Sequence, residues 1–571
     1  MTNTPTVVGI NRTQDGSIAV AVGESDVYSL QKERVTRRKH HWGRLGDLPN
    51  LYHPRLPQLA QPVDLVVECY SSDSEFARLD AYHDELLGTL RFRHQPELVR
   101  ISHHLSHLYS AFFPSPFERA AVMVVDAQGS YARDFTESFP GGERVAPDLL
   151  EVASFYRCER GRIECLGKQL WDGDWNRPAG LGCFYYKLTR MIFPEGEGAE
   201  GKVMGLAPFG RVGSMDLPDL IVDENQVLIP DEWLKVFEER EAFLYSPEPA
   251  RFEVAANLAA EGQHAFETAV LKLVQWLYEQ TGETNETNLC FVGGTALNCS
   301  ANGRIIREGP FERVFIPPSP HDGGTALGCA LYGLIECLGV ESRFRWVNDF
   351  LGPELDQAEV EEAVRALPAG LRAEKPDDLV GRVVDLLDSG RVVAVCEGRS
   401  ESGPRALGHR SIIADARSPA MRDFINAKVK GREWFRPLAP LVLAEEASRI
   451  FDVDRPAPFM QYAADVRPEH RAALPAITHV DGSARLQTVE RVNTPFLHAI
   501  LERFAQRTGC PVLLNTSLNE KGDPLVETAE EAIHCLASTW MHALVLPPYV
   551  VIKVGEPPIP GTVPVDARAD G

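Results

Sequence analysis

Short apolar segments that end at a polar or glycine turn and lead into a helical pattern recur along this chain of 571 residues. Strand, tight turn and helix in this order are typical of α/β domains, in which the strands share a sheet and the helices cover its faces. Three such segments run to turns at Asp126, at Gly293-Gly294 and at Asp322-Gly323-Gly324. The chain is therefore predicted to be an α/β protein.

The amino-terminal end and a central segment add two further elements. Apolar strands are predicted over residues 6–10, 17–22 and 27–30, with a turn at Asp15-Gly16 that makes the first two a β-hairpin. Apolar residues at helical spacing predict a packing helix over residues 264–280. A second α/β pattern begins with an apolar strand over residues 392–396.

Length and one change of pattern indicate the domain organisation. A typical domain size of about 150 residues would give three or four domains, but large α/β domains reduce the number to two. The pattern changes near residues 344–373, and we place the boundary near Phe350. Residues 1–348 and 349–571 are the two predicted domains, and the Pro-rich tail from about residue 555 is predicted to be loose.

The charge of the chain limits its partners. Lys and Arg number 58 against 81 Asp and Glu, which gives a net charge of −23. This field disfavours binding to nucleic acid or to an anionic membrane, so any anion must be held by a local basic cluster. No segment offers the run of about 18 apolar residues that a membrane span needs. A cytoplasmic protein is expected, and its oligomeric state is left open, with a homodimer as one option.

Two histidines and two aspartates suggest a metal site. His103 and His107 are four residues apart, so on a helix both imidazoles share one face. Asp126 and Asp322 each follow an apolar strand, and histidine with carboxylate suits iron, manganese or zinc. The alternative is that the histidines only decorate a helix, and the strand-end aspartates favour the metal site over it.

Glycine turns suggest a nucleotide cleft. Each turn lies between a strand and a helix, where backbone N–H groups and a helix N-terminus favour phosphate. The alternative is that these glycines serve only a tight backbone, and that Lys202 is a solvated surface lysine. The residues concerned are Lys202, Gly293, Gly294, Asn298, Asn302 and Gly323.

The segment from Arg399 to Arg436 has nine basic and four acidic residues, a local charge of +5 in an acidic chain. Arg405 lies in a Gly-Pro-Arg-Ala-Leu-Gly loop, and arginine suits bidentate phosphate contacts. A solvated basic face that pairs with an acidic neighbouring domain is the alternative. Cations, amides and hydroxyls elsewhere in the segment and beyond it extend this site: Lys430, Arg436, Arg485, Asn515 and Ser517.

Taken together, several motifs resemble the O-carbamoyltransferase family that modifies natural products. They run in the family's order along nearly the whole chain: KERVTRRKHH, HHLSHLYSAF, VVDAQGS, EGKVMGLAPFG, GGTALNCSANG, HDGGTALG, SGPRALGHRSIIAD, VKGREWFRPLAP, ARLQTV and PVLLNTSLNEKGDPLV. The resemblance implies an actin-like (ASKHA) ATPase-fold domain followed by a YrdC-like domain. It also implies that the second domain makes carbamoyladenylate from carbamoyl phosphate and ATP, and that the first transfers the carbamoyl group to a hydroxyl of a small-molecule natural product.

The resemblance further implies roles for the residues above. His103, His107, Asp126 and Asp322 would hold Fe²⁺ or another divalent metal. The glycine and asparagine turns, with Lys202, would line the adenosine cleft. Arg405 and Lys430 would act in adenylation, beside Arg436, Arg485, Asn515 and Ser517 as binding residues, and Mg²⁺ would accompany ATP.

One position departs from the family pattern. Relatives read His-Asp-x-Ser near the start, whereas this chain has Gln14-Asp15-Gly16-Ser17. Glutamine cannot accept a proton at neutral pH, so Asp15, Lys39 and His40 are the candidate catalytic substitutes. Two other functions are weighed: threonylcarbamoylation of tRNA, and a nucleotide-binding scaffold with a decayed active site, which the replaced histidine alone supports.

Overall fold

The computed structural model describes residues 4–70, 79–196, 198–281 and 287–559. The chain divides into two compact units, Met1–Trp346 and Val347–Gly571, next to the predicted boundary. Of the predicted loose tail, residues 555–559 are described, and the carbonyls of Glu556 and Pro557 accept hydrogen bonds from Arg391 and His542. The rest of that tail lies outside the described residues.

The first unit contains twelve of the described strands and ten of the described helices. The strands are β1 Thr6–Asn11, β2 Ser17–Val22, β3 Asp26–Gln31, β4 Leu65–Tyr70, β5 Leu98–Ser102, β6 Arg119–Val125, β7 Leu150–Glu159, β8 Arg162–Trp171, β9 Ile221–Asp223, β10 Gln226–Leu228, β11 Asn288–Val292 and β12 Arg313–Phe315. The helices are α1 Lys32–Thr36, α2 Leu79–Thr89, α3 His103–Ala111, α4 Gly180–Ile192, α5 Glu200–Leu206, α6 Asp231–Glu238, α7 Arg240–Phe243, α8 Pro249–Thr281, α9 Cys299–Glu308 and α10 Thr325–Tyr332.

Two sheets of the first unit share one topology. The first has the strand order β3-β2-β1-β4-β5, with β1, β2 and β3 antiparallel and with β4 and β5 parallel to β1. The second has the order β8-β7-β6-β11-β12 with the same directions in the same places. This duplicated arrangement is that of actin-like ATPase folds, so the predicted fold class of the first domain is confirmed.

Close helix packing joins the two sheets. A Cβ on Gly328 of α10 would lie 1.7 Å from the carbonyl oxygen of Ser106 on α3, so the two helices cross in near contact. A Cβ on Gly9 of β1 would lie 2.0 Å from the carbonyl oxygen of Ala326, so α10 also lies directly on the first sheet. The starts of both helices are thereby brought to the carboxyl ends of the parallel strands.

The second unit is built on an eight-stranded mixed sheet of order β13-β22-β21-β14-β15-β20-β16-β19. The described strands of the second unit are β13 Leu371–Glu374, β14 Val393–Cys396, β15 Arg410–Asp415, β16 Ala439–Leu443, β17 Ala463–Asp465, β18 Ser483–Arg485, β19 Gln487–Val489, β20 Val512–Ser517, β21 Ala543–Leu546 and β22 Tyr549–Lys553. Its helices are α11 Gln357–Arg365, α12 Leu379–Asp388, α13 Pro419–Phe424, α14 Ala447–Ile450, α15 Pro468–Arg471, α16 Pro495–Thr508 and α17 Ala529–Ser538. Apolar side chains of α12 and α16 cover one face of the sheet, in agreement with the predicted YrdC-like α/β domain.

The individual predictions of secondary structure are confirmed with small shifts. The three amino-terminal strands form a meander, and the strand before Asp126 ends at Val125. The predicted packing helix is longer than expected and covers Pro249–Thr281 as α8. Within the described ranges, no helix is long and apolar enough to cross a membrane.

Candidate active site

Four buried side chains of the first unit converge at one point. His103 and His107 lie one turn apart on α3, Asp126 follows β6, and Asp322 precedes α10. The Nε2 atoms of the two histidines are 3.1 Å apart. One ligand atom from each of the four residues lies within 4.8 Å of the other three.

The donor set fits a divalent cation. Oδ2 of Asp126 lies 3.2 Å from Nε2 of His107, and Oδ1 of Asp322 lies 3.3 Å from Nε2 of His103. Both imidazoles are fully buried, whereas the carboxylate side chains of Asp126 and Asp322 are 11% and 13% exposed. Buried nitrogen and oxygen ligands that point at one another satisfy the chemistry of a metal centre, and the exposed carboxylate edge gives access to it.

The cluster is strongly polarised. Burial alone would lower the pKa of His103, but the charge of Asp322 and hydrogen bonds that the imidazole donates to both carboxylates raise it well above its ordinary value. Burial would raise the pKa of Asp126, but hydrogen bonds and charge from His103 and His107 hold it well below its ordinary value. Asp126 is therefore ionised and ready to bind a cation.

The predicted glycine turns lie beside this cluster. Gly293 has a φ of 100°, and a Cβ there would lie 2.2 Å from the carbonyl oxygen of Val125, so only glycine allows this approach. A Cβ on Gly294 would lie 3.0 Å from Oδ1 of Asp126. A Cβ on Gly323 would lie 2.5 Å from Nε2 of Gln31. The backbone of the two turns thus lies next to Asp126 and Asp322.

The two asparagines after the first turn build its shape. Asn298 is the N-cap of α9 and accepts a hydrogen bond from the N–H of Ala301 at 3.1 Å. Its amide also pairs with that of Gln263. Asn302 is fully buried and donates to the carbonyl of Ala296 at 2.7 Å. Both side chains therefore shape the predicted nucleotide turn from within.

The two predicted lysines of the first unit lie on α5 and on the turn after α1. Lys202 of α5 forms an ion pair of 2.8 Å with Glu195 and lies over the ring of Phe193. Lys39 is exposed on the turn that follows α1. Neither lysine is among the four side chains that converge.

Asp15 pairs with a histidine at the rim of the site. Oδ1 of Asp15 lies 3.0 Å from Nδ1 of His40, and its Oδ2 lies 3.9 Å from Nε2 of His321. Burial would raise the pKa of Asp15, but His40 outweighs it and the pKa is lowered. The side-chain amide of Asn11 links this pair to the group of four converging side chains, because it donates to the carbonyls of Asp15 and Asp322.

In the second unit, the loop that carries Arg405 is tightly anchored. Oε1 of buried Glu401 accepts hydrogen bonds from the N–H groups of Leu407, His409 and Arg410. The amide of Asn515 donates to the carbonyl of Ala406 at 2.9 Å, and Gln487 donates to that of Leu407 at 2.8 Å. Asn515 thus positions the arginine loop through its backbone.

Lys430 joins the predicted Ser517 to an asparagine. Its Nζ donates to the carbonyl of Ser517 at 2.8 Å and to Oδ1 of Asn519 at 2.6 Å. The hydroxyl of Ser517 also donates to Oδ1 of Asn519 at 2.5 Å. These contacts orient the end of β20 around a buried ammonium.

Two arginines of the basic segment, Arg432 and Arg436, are close enough to Arg485 to feel its charge. Burial and the charge of Arg485 lower the pKa of Arg436, although Glu433 opposes this effect. Burial and the charges of Arg436 and Arg485 lower the pKa of Arg432 to about 9, which still leaves it protonated at neutral pH. Three like charges held together, with Glu433 as the acidic neighbour, are suited to a bound polyphosphate.

Sequence reasoning did not single out several residues of these sites. Arg432 contributes to the charge of the basic segment but has no predicted role of its own. The residues around Gln487 in the sequence do not indicate that it anchors the arginine loop. The position of Asn11 could have indicated its role, because it is the polar residue at the end of an apolar strand. Asp126 follows an apolar strand in a similar way. His321 stands beside a predicted ligand in the motif HDGG.

Two family models match the chain, one in each unit. "Carbamoyltransferase N-terminus" matches residues 78–331, and "Carbamoyltransferase C-terminus" matches residues 384–553.

Several relatives are similar to this chain over much of its length. The uncharacterized protein sll1178 of Synechocystis sp. is 36% identical over 516 residues, which are 82% of this chain and 79% of the relative. Nodulation protein NolO of Bradyrhizobium diazoefficiens is 34% identical over 79% of each chain. The 3'-hydroxymethylcephem-O-carbamoyltransferase of Streptomyces clavuligerus is 36% identical over 62% of this chain and 66% of its own.

Proposed function

Since the chain belongs to the carbamoyltransferase family, we propose that it is an ATP-dependent O-carbamoyltransferase with a divided active site. The second unit makes carbamoyladenylate, and the first unit transfers its carbamoyl group to a hydroxyl of a small-molecule acceptor. The observation that carries the proposal is the convergence of two imidazoles and two carboxylates beside glycine turns. A buried cation site next to backbone suited to phosphate is what a phosphate-linked carbamoyl donor requires.

In the second unit, the proposed reaction releases two anions. Water cleaves carbamoyl phosphate to carbamate and phosphate, and a carbamate oxygen then attacks the α-phosphorus of ATP. The bond to the leaving pyrophosphate breaks, which leaves carbamoyladenylate. Arg405, Arg436 and Arg485 would stabilise the negative charge of the phosphates, with Mg²⁺ as the usual companion of ATP. Lys430 would hold Ser517 and Asn519 in place around the carbamoyl end.

In the first unit, the acceptor hydroxyl attacks the carbamoyl carbon and the bond to AMP breaks. The products are the carbamate ester of the acceptor and AMP. The hydroxyl proton passes to the Asp15–His40 pair, which takes the place of the family histidine that Gln14 replaces. Lys39 is the nearest additional cation along the chain.

The proposed metal is ferrous iron or another divalent cation held by His103, His107, Asp126 and Asp322. When bound, it would supply Lewis-acid stabilisation of the adenylate phosphate and of the developing charge. The turns at Gly293-Gly294 and Gly323 would lie against the nucleotide, with Asn298 and Asn302 shaping the first turn.

The acceptor class follows from a relative's name. The Streptomyces clavuligerus relative is named for transfer to a hydroxymethyl group of a cephem. We therefore propose a small hydroxylated metabolite, without nucleic acid or membrane, as the acceptor of this chain.

The test follows pyrophosphate release and mass gain. The full chain is incubated with ATP, Mg²⁺, Fe²⁺, carbamoyl phosphate and a panel of hydroxylated metabolites. Pyrophosphate release should require carbamoyl phosphate, and one metabolite should gain the mass of one carbamoyl group. Release that does not need carbamoyl phosphate contradicts the proposal, and dependence on threonine and bicarbonate would instead indicate tRNA chemistry.

Two variants test the division of labour. Arg405→Ala should abolish pyrophosphate release because the phosphates lose a fixed cation. His107→Ala should keep pyrophosphate release and lose transfer to the acceptor. Arg491→Ala and His264→Ala are matched controls, because both side chains lie in exposed ion pairs. If both site variants lose the same step, the proposed division is wrong.

A further inference from the structure

The start of α3 is held by side chains from other elements. The N–H of His103 donates to Oγ of Ser130 at 2.9 Å, and the N–H of His104 donates to Oε1 of Glu151 at 3.0 Å. Ser130 is itself fixed, because its hydroxyl donates to the carbonyl of Tyr70 at 2.7 Å and its N–H donates to Glu151 at 3.1 Å. The first N–H groups of a helix have no partner within it, so these acceptors determine how α3 begins.

Glu151 is anchored by a buried ammonium. Nζ of Lys168 lies 2.5 Å from Oε2 of Glu151, 2.8 Å from Oε1 of Glu137 and 2.9 Å from Oγ of Ser154. The side chains of Lys168 and Glu151 are both 0% exposed. The hydroxyl of Tyr156 lies 3.3 Å from Nζ and donates to Glu137. We call Glu137, Glu151, Ser154, Tyr156 and Lys168 the Lys168 cluster.

The same cluster contacts α3 at two further points. Oε2 of Glu137 accepts a hydrogen bond of 2.7 Å from Ser102, the residue before the helix. Oγ of Ser154 lies 2.7 Å from Nδ1 of His104. The cluster therefore holds consecutive residues at the helix start from the side of β7 and β8.

The charge of the cluster matches the helix end. Burial would raise the pKa of Glu137, but the charge of Lys168 outweighs it and lowers the pKa. Two carboxylates around one ammonium leave a surplus negative charge beside the N-terminus of α3. Negative charge is stabilising there, because the aligned peptide dipoles place partial positive charge at that end.

We propose that Glu151, fixed by the Lys168 cluster and acting with Ser130, is a positioning residue for the metal centre. It sets the rotation of α3 so that Nε2 of His103 and of His107 face Asp126 and Asp322. The two imidazoles belong to one helical turn and move with it, so a change at the helix start displaces both. This inference rests on the proposed function in taking these four residues as metal ligands.

The test measures Co²⁺ binding to the full chain, by calorimetry and by the visible absorption bands that report coordination geometry. Glu151→Leu removes the acceptor and should weaken Co²⁺ binding by about tenfold to a hundredfold and alter the bands, as for other residues that orient metal ligands. Glu151→Gln keeps an oxygen acceptor for His104 and Ser130 and should bind closer to the wild type. Ser130→Ala, which removes a smaller group, should weaken binding by a few fold and guards against misfolding of Glu151→Leu.

Glu159→Leu is the matched control, because Glu159 lies exposed at the end of the same strand and should leave Co²⁺ binding unchanged. Folded Glu151→Leu and Ser130→Ala proteins with wild-type affinity and bands would overturn the positioning role. A wild-type chain that binds Co²⁺ but transfers no carbamoyl group would overturn the proposed function alone. A wild-type chain that binds no Co²⁺ would overturn both the metal site and the positioning role.

Discussion

At the scale of single residues, the second unit holds the charged side chains of Arg432 and Arg436 in half-buried positions. Arg432 donates to Oδ1 of Asn426 at 2.7 Å, and Asn426 in turn donates to the carbonyl of Arg436 at 2.9 Å. Asn426 thereby orders the loop that carries both arginines. Like charges held by such a scaffold are unfavourable alone and favourable once an anion lies among them.

Arg432→Gln should therefore weaken the binding of phosphate-bearing substrates. The expected loss is about tenfold to a hundredfold in kcat/KM for pyrophosphate release, which corresponds to a charge-assisted hydrogen bond of about 1.5–3 kcal/mol. The measurement is the rate of pyrophosphate release against ATP and carbamoyl phosphate concentration. Arg491→Gln is the control, and equal rates for Arg432→Gln and the control would show that Arg432 contacts neither substrate.

Glu397 makes the stability of the second unit depend on pH. Burial raises the pKa of Glu397 to about 7, although Arg410 attracts its negative form. An unfolded chain loses this proton near pH 4.3, so the folded state binds more protons between about pH 4 and about pH 7. The contribution of Glu397 to the free energy of unfolding therefore falls as the pH rises through that window. Above about pH 7 it no longer changes with pH.

Glu397→Gln should remove that dependence. The free energy of unfolding of the variant minus that of the wild type should increase by up to about 3 kcal/mol as the pH increases from about 5 to about 8. Urea unfolding of both proteins at the two pH values measures the difference. Glu362→Gln, at an exposed position of α11, should run parallel to the wild type. Parallel curves for Glu397→Gln as well would contradict the buried, protonated state.

At the scale of elements, the crossing of α3 and α10 brings the candidate metal ligands together. Each helix brings ligands that are distant in sequence: two histidines on α3, and Asp322 just before α10. The crossing is close because glycine and serine meet there, at Gly328, Ser106 and Ser110. Small residues at the contact bring the helix backbones, and hence the ligands, within reach of one ion.

Gly328→Ala should separate the helices and weaken the site. The added Cβ has no room against the carbonyl of Ser106, so the protein should lose about 2–3 kcal/mol of stability. Co²⁺ affinity should also fall, because Asp322 moves with α10. Gly88→Ala in α2 is the matched control, since nothing lies within 4 Å of its Cβ position, and it should be neutral or slightly stabilising. Unchanged Co²⁺ binding in Gly328→Ala would mean that α10 does not set the position of Asp322.

At the scale of the whole molecule, each unit has its own polar site on its own sheet. The first unit brings carboxylate and imidazole side chains together, whereas the second brings together the cationic side chains of arginines and a lysine. An acidic chain of net charge −23 thus contains a local basic site. The proposed function uses this separation of charge, with a metal in the first unit and polyanions in the second.

Removal of metal should separate the two half-reactions. After treatment with a chelator and restoration of Mg²⁺ alone, pyrophosphate release should return, because the arginine site does not involve the histidine cluster. Carbamoyl transfer should return only when Fe²⁺ or another transition metal is added. Full transfer with Mg²⁺ alone would contradict a role for the histidines as metal ligands. The pyrophosphate and acceptor assays described above measure both steps in one sample.

Local patterns along the chain predict the α/β class, most strand positions and the residue types of both candidate sites. Apolar strands and glycine turns are local signals, and each is read within about ten residues. The histidine spacing also predicted that His103 and His107 share a helix face, which α3 confirms.

Which of these residues meet depends on how elements that are distant in the sequence pack together. Asp126 and Asp322 are 196 positions apart in the sequence and meet because α10 packs on α3. Asn298 is the N-cap of α9. The ammonium of Lys430 donates hydrogen bonds to oxygen atoms of residues that are distant in the sequence, such as Asn519. Glu151 and Lys168 carry no motif at all, because their importance comes from burial beside a helix start. Local pattern encodes the elements, whereas close packing selects the contacts between them, and no short window of sequence contains that information.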